Sequence, residues 1–169
     1  MSKKSSRSTK SPSVPLPGLL LDENVGSRQI TRVLREFKKE WAIKRHGDFF
    51  KRGKTPDDEV IAKCGAEGWG IISADDSMWF MHQEALQRNA IRLFTFTSGN
   101  MRRADYMAAL VFARKKIIEF MKSPGPFCGR IYKNGNVTIT RGLGAVSQAE
   151  KNREAVAYEA TLKEVESSS

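Results

Sequence analysis

Apolar residues fall along this chain in two rhythms: short unbroken runs bounded by turn formers, and longer stretches in which they recur every three or four positions. The first run, Gly18-Leu19-Leu20-Leu21, follows a Pro-Gly pair and stops at Asp22, as a buried strand does. Ile30, Val33, Leu34 and Phe37 then form an apolar helical stripe, with Arg28, Arg32 and Arg35 on another face of the same helix. Trp41-Ala42-Ile43 predicts a short second strand. Thr55-Pro56-Asp57-Asp58 reads as a helix start: Thr55 can cap, Pro56 suits the first turn, and Asp58 completes a spacing like that of a capping box. That helix buries Val60, Ile61 and Cys64 and stops near Gly68. A strand at Gly70-Ile71-Ile72-Ser73 leads to Asp75-Asp76, then to one helix through Ala85 and Leu86 and a strand from Ile91 to Phe96. A longer helix runs from Ala104 to Met121, with Met107, Leu110, Val111, Ile117, Ile118 and Met121 inward, and Pro124-Gly125-Pro126 ends it. Cys128 to Tyr132 and Val137 to Thr140, joined through Asn134-Gly135, predict a hairpin.

The alternation of strand and helix is that of an α/β chain: a three-layer α/β/α sandwich around a mainly parallel sheet. Residues 18–142 carry this pattern. Residues 1–17, rich in Ser, Lys and Pro, read as a disordered basic arm, and 143–169 as a polar C-terminal helix or tail with a capping box at Ser147 and Glu150.

Composition narrows the function classes. A chain of 169 residues with 40% hydrophobic content can bury a core of its own, which excludes wholesale disorder. Cys64 and Cys128 form no CxxC pair and His46 and His82 are far apart, which argues against a disulfide scaffold or a zinc finger and for a reducing cytoplasm. The longest apolar run, Met107 to Ala113, is too short to cross a membrane, and Pro12, Pro15 and Pro17 interrupt any signal peptide. The net charge is +10. Residues 1–11 hold +4, residues 147–169 hold −2, and residues 12–146 hold 22 bases against 14 acids. The basicity therefore belongs mainly to the folded region, and it favours a polyanionic partner, nucleic acid first.

Within that basic frame the acids are placed selectively. In parallel sheets, sites form beyond the carboxyl ends of the strands. Asp22 closes one strand, Asp75 and Asp76 close another, and Asp57 and Asp58 open a helix expected at the same sheet edge. Carboxylates at close range repel unless a cation joins them. Mg²⁺ or Mn²⁺ takes such oxygen ligands and can activate water for phosphodiester cleavage. Simpler roles exist for some of these acids. Asp57 and Asp58 suit the positive end of a helix dipole, and Asp75 or Asp76 suits a helix cap.

Three of these segments, Leu20-Leu21-Asp22-Glu23-Asn24, Thr55-Pro56-Asp57-Asp58-Glu59-Val60 and Gly68-Trp69-Gly70-Ile71-Ile72-Ser73-Ala74-Asp75, resemble the motifs of PIN-like nuclease domains. His46-Gly47-Asp48-Phe49-Phe50 and Pro124-Gly125-Pro126-Phe127-Cys128 through Gly135 resemble the short branch that includes VapC-type toxins of toxin–antitoxin pairs. The resemblance covers about residues 18–140. It implies a PIN-like fold, metal-dependent endoribonuclease activity, and an antitoxin partner if the gene is half of such a pair.

By this likeness Asp22, Asp57 and Asp75 are the expected Mg²⁺ or Mn²⁺ ligands, with Asp58 and Asp76 assisting in catalysis. Two departures stand out. No carboxylate follows Phe96 before Asp105, leaving Ser98, Asn100 or Asp76 as substitutes, and Ser77-Met78 replaces the Asp-Phe often found after the third motif. The expected RNA-contacting bases are Arg28, Arg32 and Arg35, then Lys51, Arg52 and Lys54. His46 reads first as a surface-loop residue, with a proton-shuttling or phosphate-contacting role as the alternative, His82 as partly buried packing, and Trp79 and Phe80 as core or interface, with stacking on a base as their alternative. The expected function is RNA cleavage by the toxin of a toxin–antitoxin pair. The rival is a catalytically impaired PIN-like RNA-binding or protein-interaction module. RNA, an antitoxin and a second copy of the chain are the expected partners, with no membrane.

Overall fold

In the computed structural model, residues 15–142 are described, and the proposed basic arm (through residue 14) and C-terminal helix lie outside them. Among the described residues twelve elements follow in this order: β1 (Gly18–Leu21), α1 (Arg28–Arg35), β2 (Ala42–Arg45), α2 (His46–Phe49), α3 (Asp57–Glu67), β3 (Gly70–Ser73), α4 (Met78–Met81), α5 (Gln83–Arg88), β4 (Arg92–Phe96), α6 (Arg103–Met121), β5 (Phe127–Ile131) and β6 (Val137–Gly142). The six strands form one sheet in the order β2-β1-β3-β4-β5-β6. All neighbours are parallel except the β5–β6 hairpin, whose turn carries Gly135 at a φ of 82°.

The inner strands β1, β3, β4 and β5 are buried on both faces, and alternate residues feed two cores. Leu19, Leu21, Ile72, Phe94 and Phe96 pack against Ile30 and Leu34 of α1 and Leu110, Ala113 and Ile117 of α6. Leu20, Ile71 and Leu93 pack against Val60, Ile61 and Cys64 of α3, Met78 and Trp79 of α4 and Leu86 of α5. This is the expected three-layer arrangement. The chain runs outward from β1 to β2, then returns across β1 to lay down β3, β4 and β5. The strand order thus reverses between β1 and β3, where doubly wound sheets open a crevice.

Two local expectations are corrected. The N-cap of α3 is Pro56, not Thr55, because the Thr55 hydroxyl donates back to Lys51 O at 3.3 Å. Asp57, Asp58 and Glu59 fill the first turn of α3, where the helix dipole favours negative charge. The single helix expected after Asp76 is broken in two at His82, whose backbone (φ −125°, ψ 27°) leaves the helical region.

Candidate functional site at the carboxyl edge of the sheet

Asp22 follows β1 directly, and its backbone N–H donates to Ile72 O of β3 at 2.9 Å, placing it at the reversal of strand order. The Ser73 hydroxyl donates to its Oδ2 at 2.8 Å and the Glu23 N–H to its Oδ1 at 2.7 Å. Burial pushes the Asp22 carboxyl above the usual carboxylate range, and the nearby charge of Asp57 adds to that. The two hydrogen bonds and the His46 ring act in the opposite sense. A costly charge is thus held at the strand end by the neighbouring strand.

Ser73 also joins the first acidic motif to the third, since its Oγ accepts the Asp75 N–H at 3.1 Å. The Asp75 carboxylate turns to Ser77, taking that residue's N–H at 2.9 Å and hydroxyl at 2.6 Å from one oxygen. Asp76 points toward Arg130 of β5, at 3.5 Å. Asp57 and Asp58 both meet His82: Nε2 lies 3.1 Å from Asp57 Oδ2 and Nδ1 lies 3.0 Å from Asp58 Oδ1. His82 is therefore more than packing, bridging the α4–α5 break to the start of α3. Asp57 reaches Asp22 electrostatically, but Asp22, Asp57 and Asp75 do not converge as one ligand set. Among the described residues no three His, Cys, Asp or Glu side chains could jointly hold a metal ion. As placed, the acids do not fit a preformed Mg²⁺ or Mn²⁺ centre.

Two clefts open along this edge, sharing Asn24. One, of about 420 Å³, is lined by Asp75, Gly99, Asn100 and Tyr106, so the loop after β4 contributes an amide beside Asp75 where a carboxylate is lacking. The Tyr106 hydroxyl fixes that loop by donating to Gly99 O at 2.8 Å. The other, of about 630 Å³, is lined by Glu23, Ser27, His46 and the guanidinium-bearing residues Arg28, Arg45, Arg52 and Arg103. A groove of about 400 Å³ continues from it along Arg28, Arg32 and Arg35.

Of the expected RNA-contacting bases, Arg28 and Arg52 line the larger cleft and Arg32 and Arg35 the groove. Lys51 and Lys54 stand exposed on the loop before α3. That loop is fastened by Glu23, whose Oε1 accepts the Gly53 N–H at 2.8 Å. Arg35 and Arg45 share Asp48, at 3.1 and 2.6 Å. The Arg45 hydrogen bond, more than burial opposes, holds the Asp48 carboxyl below its usual range. His46 is buried, not a surface-loop residue, at 4% exposure. Trp79 is core, whereas Phe80 is exposed beneath the Arg141 guanidinium, 4.1 Å from its ring centroid.

Sequence reasoning passed over Glu23, Ser73, Arg45 and Arg103 as site residues and gave His46 and His82 lesser parts. Glu23 and Ser73 did carry a signal, since Glu23 directly follows Asp22 and Ser73 ends β3 two positions before Asp75.

Residues 17–98 match the family described as PIN like domain. The matched span runs from β1 to the end of β4, and so contains Asp22, Asp57, Asp58, Asp75 and Asp76. The fold is accordingly that of a PIN-like domain, a nuclease-type architecture that typically binds nucleic acid and usually uses divalent metal. No curated protein and no solved structure matches the chain. Among the described residues no helix is long and apolar enough to cross a membrane.

Proposed function

From the PIN-like character of residues 17–98 we propose that the protein is an endoribonuclease, with Asp22 at its reacting centre and the arginine-bearing face holding the RNA strand. One observation carries this reading: a half-buried carboxylate, destabilised by its surroundings, stands where the strand order reverses, beside a cleft lined by four arginines. A polyanion drawn to those arginines is delivered to the sheet edge that bears the acids. Mg²⁺ or Mn²⁺ is the cofactor this reading expects, with Asp22, Asp57 and Asp75 as ligands and Asp58 and Asp76 assisting. Since those acids stand on other partners, the arrangement supports strand holding more directly than hydrolysis. Arg28, Arg32, Arg35, Lys51, Arg52 and Lys54 position the strand. The toxin role, the antitoxin partner and pairing with a second copy belong to the same proposal through the motif likeness.

The test is cleavage of single-stranded RNA with and without EDTA, comparing the wild type with Asp22→Asn and Asp75→Asn. Metal-dependent cleavage lost in the variants is expected, and undiminished cleavage in both would reject the assignment. A second reading, an RNA-binding module that does not cut, is favoured by the pairing of Asp57 and Asp58 with His82 and by the absent carboxylate after β4. It predicts salt-sensitive RNA binding without cleavage.

A further inference from the structure

We propose that the arginine-lined cleft beside Asp22 is a phosphate subsite, taking one phosphate group of a bound RNA strand, an inference that rests on the RNA reading above. The cleft gathers guanidinium groups from four separate segments. Arg28 opens α1, Arg45 ends β2, Arg52 lies on the loop before α3, and Arg103 opens α6. Arg45 is already oriented by its hydrogen bond to Asp48 at 2.6 Å, and the exposed Arg52 lies 3.8 Å from Glu23. Arg28 and Arg103 make no ion pair among the described residues, so their donors are available to an incoming anion. Such forks match phosphate oxygens in geometry as well as charge.

The floor of the cleft points to a ligand independently of the arginines. His46 is almost wholly buried, yet its Nδ1 makes no hydrogen bond, and the nearest carboxylate oxygen, Glu23 Oε1, is 3.5 Å away. Buried polar atoms are nearly always partnered, so a lone one at the wall of a polar cleft marks a place where a hydrogen-bond partner is missing. A phosphate oxygen would supply it when Nδ1 carries the ring proton. Glu23 is the only acid on the wall among the described residues, and its carboxylate is occupied by Gly53 N–H and Arg52. The positive end of α1 faces the same space, with Ser27 as its cap. The continuous groove along Arg32 and Arg35 gives the rest of the strand a path away from the subsite.

The experiment is equilibrium binding of a labelled single-stranded RNA in EDTA, which removes metal-dependent cleavage, over a range of salt concentrations. Arg28→Ala and Arg103→Ala remove the two unpaired guanidiniums. Gly47→Asp places a carboxylate on the wall, where an added Cβ would meet nothing closer than the Arg45 Nη2, 3.8 Å away. All three positions are exposed, and melting temperatures check that each variant folds. Arg88→Ala, on α5 at the opposite face, is the control. Each arginine variant is expected to weaken binding about three- to tenfold and to lower the slope of log K against log salt by about 1. Gly47→Asp should weaken binding as well, Arg88→Ala should not, and inorganic phosphate should compete with RNA on the wild type. Unchanged affinity and slope in both arginine variants would overturn the subsite, as would an equal loss in Arg88→Ala, which means diffuse charge. A 5′-phosphorylated RNA preferred over its 5′-hydroxyl twin would identify a terminal phosphate, and equal binding an internal phosphodiester. If the wild type never cuts but these variants lose affinity, the nuclease reading falls and the subsite stands.

Discussion

The two clefts flanking Asn24 hold their charges in opposite ways. On the β1–β2 side, Arg28 and Arg103 are unpaired among the described residues, and the acids there, Glu23 and Asp48, serve to orient other arginines. On the β3 side the four expected site acids are engaged: Asp57 and Asp58 by His82, Asp75 by Ser77, Asp76 by Arg130. The side that would grip a polyanion is prepared for it, whereas the side that would cut it is occupied with its own contacts. Asp22 belongs to both, since it shares the Ser73 hydroxyl with the Asp75 segment and feels the His46 ring from the basic side.

Separating the two sides is the sharpest way to test this difference. Asp22→Asn should lower RNA cleavage by about 10²–10⁴-fold, the scale for a group acting at the reacting centre, while leaving RNA binding equal or tighter because a negative charge is lost. Parallel loss of binding and cleavage would merge the two sides into one. Next in size, His82→Ala should release Asp57 and Asp58, and calorimetric titration with Mn²⁺ should then show tighter binding than in the wild type. Unchanged Mn²⁺ affinity would mean that the pairing is not what keeps these acids from joining Asp22.

The stability effect of Asp22 comes next, and its sign follows from burial. Its folded-state carboxyl is raised above its unfolded value, so the folded form binds the extra proton and stability falls as pH rises through that window. Asp22→Asn should therefore raise the melting temperature at neutral pH, and the gain should shrink as pH drops toward the ordinary carboxylate range. A gain that is constant with pH would point to packing instead. The smallest effect concerns the far core, where burial pushes the Cys64 thiol up to about 12. Native protein at pH 8 should resist alkylation at Cys64, checked by mass spectrometry, and modification at the rate of an unfolded control would contradict its place under α3.

What the amino-acid pattern could convey was set by range along the chain. Strands with unbroken apolar runs, the α1 stripe and the Asn134-Gly135 hairpin are local signals, and Asp22 stood out because Asp-Glu-Asn is poor strand material directly after Leu19-Leu20-Leu21. The partners of the acids are not local. Ser73 meets Asp22 across 51 positions and His82 meets Asp58 across 24, through the β1–β3 pairing and a helix break that no periodicity announces. His46 looked like loop because polar residues surround it, but α2 starts at the end of β2 and turns its ring inward onto Phe50, 5.0 Å away. Thr55 looked like a cap because its spacing was right, and the turn from Lys51 claimed its hydroxyl first.

The most direct test of the whole account is single-stranded RNA cleavage by the full chain, measured with Mg²⁺ or Mn²⁺, after EDTA, and in Asp22→Asn. The expected result is cleavage that chelation abolishes and that Asp22→Asn reduces at least about a hundredfold while RNA remains bound. Cleavage that survives both EDTA and Asp22→Asn would contradict it.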